Sequence, residues 1–285
     1  MKKYFKLMRI HHYLKNILIF VPIVFSRNLF EIDILYSVIM GFIAFCFTAS
    51  SIYVLNDICD VEKDRAHPSK CKRPIASGDV SINNAKVLFI ILIAFSLFLS
   101  IFIIKSISVA ILLFIYFFIN VSYSIGMKNV PIVDIFILVL GFIIRVFYGA
   151  QIVDIKISGW LYLTIMSLSF FLGLGKRRNE IDKQGSRSRK VLKYYNREFL
   201  DKNMYIFLAL TINFYSLWCM DNVHEPGVFD NIFLTIPVTI FICMKYSLNI
   251  EGNSNGDPVE VLLHDKILIG VVILYMIMMM FILYV

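Results

Sequence analysis

Long apolar runs recur along the whole chain, separated by short polar or cationic segments, and their lengths suit helices rather than strands. A helix needs about 20 apolar residues to cross the hydrocarbon core, and shorter ones are tolerated inside a bundle. On that rule the runs at 16–30, 34–55, 85–104, 107–123, 130–152, 160–175, 204–220, 231–246 and 267–285 predict nine membrane-spanning helices. Pro22 interrupts the first of them. The expected fold class is an all-α polytopic membrane protein, with residues 1–285 forming a single domain. There is no internal repeat beyond a loose similarity between the polar segments that follow the second and sixth runs.

Composition agrees with that pattern. The chain is 59% hydrophobic and 17% charged, with a mean hydropathy of +0.77, against about 45–50% apolar and about 25% charged in soluble domains. The formal charge of +8 does not point to nucleic acid, because the basic residues cluster in short loops between apolar spans. Five cysteines form no CxxC pair, and Cys59, His67 and Cys71 lack a fourth ligand for zinc. No small-residue cleavage site follows the first apolar run, so the amino terminus is expected to stay as a basic anchor.

The distribution of charge sets the expected orientation. With the amino terminus in the cytoplasm, cytoplasmic segments hold 23 of the 28 Lys and Arg residues, as the positive-inside rule requires. The segment 221–230 carries Asp221, Glu225 and Asp230 with no Lys or Arg. The carboxyl terminus is then outside, and the ionisable residues, with the function they imply, gather at the cytoplasmic face of a cell membrane.

The densest polar segment runs from Asn56 to Ser81, directly after the second apolar run. Asn56, Asp60 and Asp64 are spaced i, i+4, i+8; if the helix continues past Leu55 they form one stripe, drifting about 40° per step, while Asp57 points elsewhere. Oxygen-bearing side chains at such spacing suit Mg²⁺, which takes one or two carboxylates together with waters and substrate phosphates. Lys70, Lys72 and Arg73 follow, closed by Pro74 and Gly78. They suit a diphosphate whose metal the aspartates hold, with Arg73 the strongest candidate. The competing readings are a solvated helix end and attraction to anionic lipid headgroups.

Further candidates lie deeper. Asp134 and Arg145 are eleven residues apart in one span, about 16 Å along the axis and within about 20° of the same direction. Ionisable groups at that depth usually face a cavity or a partner, and a polar cavity open to the cytoplasm accounts for both; a structural ion pair is the alternative. Tyr123 and Lys128 stand where the fourth span meets the cytoplasm: Tyr123 reads as an interfacial aromatic sooner than a ligand, and Lys128, at the expected cavity mouth, as a topology signal or a phosphate contact. Lys176, Arg177, Arg178 and Lys183 surround Glu180 as either an anion site or a topology signal, and Arg187, Arg189 and Lys190 read as a solvated or headgroup-facing helix. Gly252–Gly256 reads as a flexible stretch before Asp257, Pro258 and Glu260.

Together these residues resemble the UbiA superfamily of intramembrane prenyltransferases, whose Asn-x3-Asp-x3-Asp motif Asn56, Asp60 and Asp64 match. Asn56 through Gly78, with His67-Pro68, Lys70 and Arg73-Pro74-Ile75-Ala76, are similar to the branch that transfers phosphoribose to decaprenyl phosphate. Lys15-Asn16, Tyr123 with Lys128 and Asp134, Gly141 to Arg145, Lys176-Arg177-Arg178 with Glu180, and Asp257-Pro258 with Glu260 also look like that branch. The resemblance implies nine helices around a cavity open to the cytoplasm and Mg²⁺ on Asn56, Asp60 and Asp64. It further implies phosphoribosyl diphosphate as donor and a polyprenyl phosphate as acceptor. Asp57, Lys15, Lys70, Lys72, Tyr123, Lys128, Asp134, Arg145, Lys176, Arg177 and Glu180 become substrate-binding candidates, and His67 a loop or substrate contact.

One departure carries weight. Aromatic prenyltransferases of the superfamily bear a second Asp-x3-Asp motif after the sixth helix, whereas here Glu180 and Asp182 are two apart among cations. That favours the phosphoribosyl branch over an aromatic prenyltransferase of quinone or haem synthesis. A transporter or lipid-binding protein is a third reading, disfavoured because the charges concentrate at one face. The oligomeric state is open, a homo-oligomer included.

Overall fold

The computed structural model describes residues 2–66, 70–184, 190–222, 231–252, 254 and 256–285. His67, Arg187, Arg189 and Glu225 therefore lie outside the described residues. All regular structure among those described is helical: α1 (Lys2–Met8), a 3-10 helix (Ile10–Phe20) running into α2 (Val21–Phe25), α3 (Ile32–Cys59), α4 (Val61–Arg65), α5 (Ile82–Phe98), α6 (Ile107–Ile125), α7 (Val133–Val153), α8 (Gly159–Gln184), α9 (Arg197–Asn222), α10 (Thr235–Glu251), α11 (Pro258–His264) and α12 (Lys266–Tyr284). Helices meet the requirement that buried backbone groups bond within their own segment in lipid.

Among the described residues, seven of these are long and apolar enough to cross a membrane: α3, α5 with its π-helical extension to Ile103, α6, α7, α9, α10 with the turn before it, and α12. The two other expected spans differ for visible reasons. The first is a short apolar helix, Ile10–Phe25, in which Pro22 stands at the start of α2, a position where its missing N–H costs nothing. The sixth forms α8, whose apolar first part continues without a break into Lys176–Gln184, so that a polar third shares one helix with the predicted span. The chain is a multi-pass membrane protein.

The described chain divides into two compact units, Met1–Ile125 with Ile144–Ile155, and Gly126–Ile143 with Lys156–Val285. In the first, α3 packs on α5 and α6, and Phe45, Ala49, Ile52, Leu113, Tyr116 and Tyr148 form its main core. Side-chain hydrogen bonds supplement dispersion where lipid supplies no hydrophobic drive. The Thr48 and Ser96 hydroxyls lie 2.6 Å apart, and Ser96 donates to the Ala44 carbonyl at 2.8 Å. Gly149 lets α7 approach the Ile19 carbonyl so closely that a Cβ there would collide with it.

In the second unit α8 packs along α9, and α10 against α9 and α12, around Val139, Phe171, Leu174, Leu200, Met204 and Ile250. Two of its helices, α11 and α12, are capped by carboxylates. Asp257 accepts from the Val259 N–H ahead of Pro258 at N1, and Asp265 accepts from Ile267 and Leu268 N–H. Those N–H donors, with Lys245 and Asn249, hold the Asp265 carboxyl well below the usual range.

Candidate active site

The polar end of α3 positions the first cluster. α3 stops at Cys59, and Asp60 leaves helical geometry with φ −98° and ψ 12°. The hydrogen-bond ladder nonetheless carries across: Asp60 N–H donates to the Asn56 carbonyl at 2.9 Å, and Asp64 N–H to the Asp60 carbonyl at 2.8 Å. Asn56, Asp60 and Asp64 therefore sit one turn apart from α3 into α4. Asn56 and Asp60 are half-buried and Asp64 is buried, with Lys63 Nζ 3.3 Å from Asp60 Oδ1.

Asp57 does not stand apart as expected. Arg73 Nη1 donates to Asp57 Oδ1 at 3.1 Å and to Asp64 Oδ2 at 2.6 Å, so one guanidinium nitrogen joins two buried carboxylates. The spacing allows it: positions i and i+7 of a helix lie within about 20° of each other, closer than the i+4 steps on which the stripe was drawn. Arg73 is fixed by its loop, its N–H bonded to the Lys70 carbonyl at 2.9 Å and its carbonyl accepting from Ser77 N–H at 2.8 Å. Lys70 and Lys72 flank it on a 3-10 turn and are exposed. Arg9, absent from the expected site, donates to Asp57 Oδ1 at 2.7 Å.

Arg145 forms the second cluster of the same unit. Its Nε donates to Asn16 Oδ1 at 2.8 Å and its Nη2 to the Tyr116 hydroxyl at 2.9 Å. The guanidinium lies 5.1 Å from both the Phe45 and Tyr116 ring centres, a cation–π arrangement suited to a buried charge. Lys15 precedes Asn16 on the 3-10 helix and is half-buried, as is Tyr123 on α6. Tyr116 could have been suspected as a polar tip in the middle of an apolar run.

The second unit holds the remaining candidates. Asp134 is fully buried; its Oδ2 accepts from Arg177 Nε at 2.6 Å, and its Oδ1 from the Tyr195 hydroxyl at 2.6 Å. Arg177, also fully buried, donates to Glu180 Oε2 at 2.8 Å. Asp134 pairs within this unit, and Arg145 with Asn16 and Tyr116 in the other. Tyr195, which the sequence does not flag, also accepts from the Ile132 N–H at 2.5 Å, where φ is +69°, a rare conformation for a β-branched residue. Burial and the Asp134 hydrogen bond push the Tyr195 hydroxyl well above its usual pKa. Lys128, half-buried, lies on the turn Met127–Asn129, which packs against the turn Lys190–Tyr194.

The rest of the basic run meets protein acceptors too. Lys176 reaches Asp257 at 3.1 Å, Arg178 reaches Asp201 at 2.5 Å, and Asn179 donates to the Ser254 hydroxyl at 2.8 Å. Gly256, with φ +75°, seats the connector on α8: a Cβ there would stand 2.9 Å from Asn179 Cβ and 3.1 Å from Lys176 Cα.

The donor chemistry of Asn56, Asp57, Asp60 and Asp64 is hard oxygen, which fits Mg²⁺. Among the described residues no three His, Cys, Asp or Glu side chains gather closely enough to enclose a metal by themselves. Mg²⁺ held by such side chains would complete its shell with waters and substrate phosphate oxygens.

The UbiA prenyltransferase family model matches residues 23–247. The chain is 32% identical to decaprenyl-phosphate phosphoribosyltransferase of Corynebacterium glutamicum, across 92% of this chain and 81% of that protein. It is 34% identical to the enzyme of the same name from Mycolicibacterium smegmatis, across 83% and 77%. A solved UbiA homolog from Archaeoglobus fulgidus, bound to DMAPP and Mg²⁺, shares the fold with a TM-score of 0.74 at 18% identity, over 99% of this chain and all of that one. The polar end of a membrane helix described above thus belongs to an enzyme, a transferase of the prenyltransferase type, and the chain is a member of the UbiA prenyltransferase family.

Proposed function

We propose that this protein transfers 5-phosphoribose from phosphoribosyl diphosphate to a polyprenyl phosphate at the cytoplasmic face of the membrane, with Mg²⁺, releasing diphosphate. The observation that carries it is the stack of Asn56, Asp60 and Asp64 at successive turns beside Asp57 and Arg73. The names of the relatives at 32% and 34% identity support the choice of donor, as does the spacing of Glu180 and Asp182, which offers no second Asp-x3-Asp motif.

Asp60 and Asp64, with Asn56 and Asp57 assisting, would hold Mg²⁺. When bound, the ion neutralises charge that builds on the departing diphosphate. Arg73 shares that task with Lys70 and Lys72, its fork suiting phosphate oxygens. An oxygen of the acceptor phosphate attacks the anomeric carbon on the face opposite the diphosphate, so the C–O bond to diphosphate breaks with inversion. The acceptor is already an anion, and the step requires no general base. Lys15 and Arg145 are candidates for the acceptor phosphate or the ribose 5-phosphate. In the second unit Lys128 is a candidate for the same groups, and Arg177, enclosed by Asp134 and Glu180, takes a positioning role.

Purified protein incubated with Mg²⁺ and phosphoribosyl diphosphate labelled in the ribose should convert polyprenyl phosphate to a labelled lipid. No labelled lipid, together with turnover of a prenyl diphosphate onto an aromatic acceptor, would overturn this assignment in favour of the aromatic prenyltransferase.

A further inference from the structure

Arg9 stands outside every motif that the sequence singles out, and its geometry sets it apart. It follows α1 with φ 54° and ψ 50°, the left-handed region where a helix end normally places glycine. A residue held there for its side chain is a reason to look for a function. The guanidinium reaches the buried Asp57, Nη2 to Oδ1 at 2.7 Å, and its carbon lies 4.7 Å from the centre of the Tyr53 ring.

The segment that delivers Arg9 is anchored. Leu7 is fully buried beside Val54, Ile75 and Val80. Lys3 Nζ donates to the Asp79 carbonyl at 2.8 Å, and Lys6 Nζ to the Lys72 carbonyl at 3.0 Å. The basic amino-terminal residues, expected as a topology anchor, clasp the loop that carries Arg73.

Two guanidiniums thus face two buried carboxylates, and both donate to the same oxygen of Asp57. Each guanidinium has five N–H donors. The side chains are 22% exposed for Arg9 and 29% for Arg73, so neither is closed off from solvent. With Asp57, Asp60 and Asp64 set against Arg9, Arg73 and a divalent cation, the site would carry one positive charge in excess. A diphosphate supplies the compensating charge in the form that an arginine fork binds well.

We infer that Arg9 is a second diphosphate-binding residue. It pairs with Arg73 across Asp57, and the two make binding of the divalent cation and of the diphosphate mutually dependent. This rests on the assignment of the Asp57–Asp64 region as the donor site.

The test is a calorimetric titration of the full-length protein in detergent with inorganic diphosphate, with and without Mg²⁺. The variants are Arg9→Gly, which suits the left-handed backbone, Arg9→Lys, Asp57→Asn and Arg9→Gly/Asp57→Asn. Arg9→Gly should weaken Mg²⁺-dependent diphosphate binding by about ten- to a hundredfold, and Arg9→Lys should recover part of it. In the double variant the carboxylate that Arg9 has left to Arg73 alone is neutralised, so thermal stability should return while diphosphate affinity stays below that of Asp57→Asn. If the double variant binds diphosphate as tightly as Asp57→Asn, Arg9 only balances Asp57 and the inference is overturned. If the wild-type protein binds no diphosphate with Mg²⁺, the donor-site assignment fails, and the inference with it.

Discussion

Asp57 and Asp64, seven positions apart on two different helices, share one nitrogen of Arg73, at 3.1 Å and 2.6 Å. Both carboxylates are buried, and a buried carboxylate left without its cation loses more than the hydrogen bond itself was worth. Arg73→Ala should therefore lower stability by about 1–3 kcal/mol and abolish transfer. Arg73→Lys should recover much of the stability but little of the turnover, because an ammonium cannot reproduce the planar fork. Thermal unfolding in detergent beside a donor-saturation curve separates the two effects.

Asp60→Asn and Asp64→Asn should each reduce turnover by about a hundredfold or more, the scale of losing a charge-stabilising group in a transition state. The Mg²⁺ concentration needed for half-maximal rate should rise. Unchanged turnover with unchanged Mg²⁺ dependence in both variants would exclude these residues as metal ligands.

Asn16 offers a finer test of Arg145. Its Oδ1 accepts from Arg145 Nε at 2.8 Å, and Asn16→Asp would place an anion at that point without changing the side chain's size. Stability should hold, whereas KM for the polyprenyl phosphate should rise more than kcat falls, because a carboxylate competes with phosphate for the guanidinium. An unaltered acceptor KM would remove Arg145 from the acceptor site.

Tyr195 ties the Ile132 N–H to Asp134. Tyr195→Phe should cost about 1–3 kcal/mol by leaving a buried acceptor unsatisfied. The folded hydroxyl titrates above its unfolded pKa of about 10. Its contribution is thus complete below that value and is lost only as pH rises through the folded one. The difference in unfolding midpoint between wild type and Tyr195→Phe should accordingly stay constant from pH 6 to 9 (about the usable range for such proteins).

Gly149→Ala tests the contact between α7 and the 3-10 helix. The new methyl would meet the Ile19 carbonyl, a backbone atom that cannot rotate away, so a loss of about 1–3 kcal/mol is expected. Thermal unfolding of the variant measures it.

Seven of the nine expected spans and the polar stripe could be read from the chain because both are local. Apolar run length predicts where helices lie, and the i, i+4, i+8 spacing survives the break at Asp60 because the backbone hydrogen bonds bridge it. The Asp57–Asp64 relation was equally present as an i, i+7 spacing, but it acquires meaning only through Arg73. Partners brought together by folding left no such trace. Arg9 meets Asp57 across 48 positions, and Tyr195 meets Asp134 across 61; neither has a spacing that distinguishes it from an interfacial cation or aromatic. The run from Lys176 to Arg178 has the same limit: its spacing does not foretell that Asp257, Asp134 and Asp201 lie against it.

Gly256 changes what the connector before α11 can tolerate. By composition that stretch looks like slack, a spacer that could gain or lose residues freely. With the bare Cα of Gly256 laid against Lys176 and Asn179, and Ser254 and Asp257 bonded on either side, these three positions act as a keyed joint. A one-residue insertion between Gly256 and Asp257 would shift every contact after it by one place, whereas a longer side chain at 256 would lift the joint off α8 altogether. A label attached at Ser254, whose hydroxyl and carbonyl both bond Asn179, would therefore report displacements of that turn of α8.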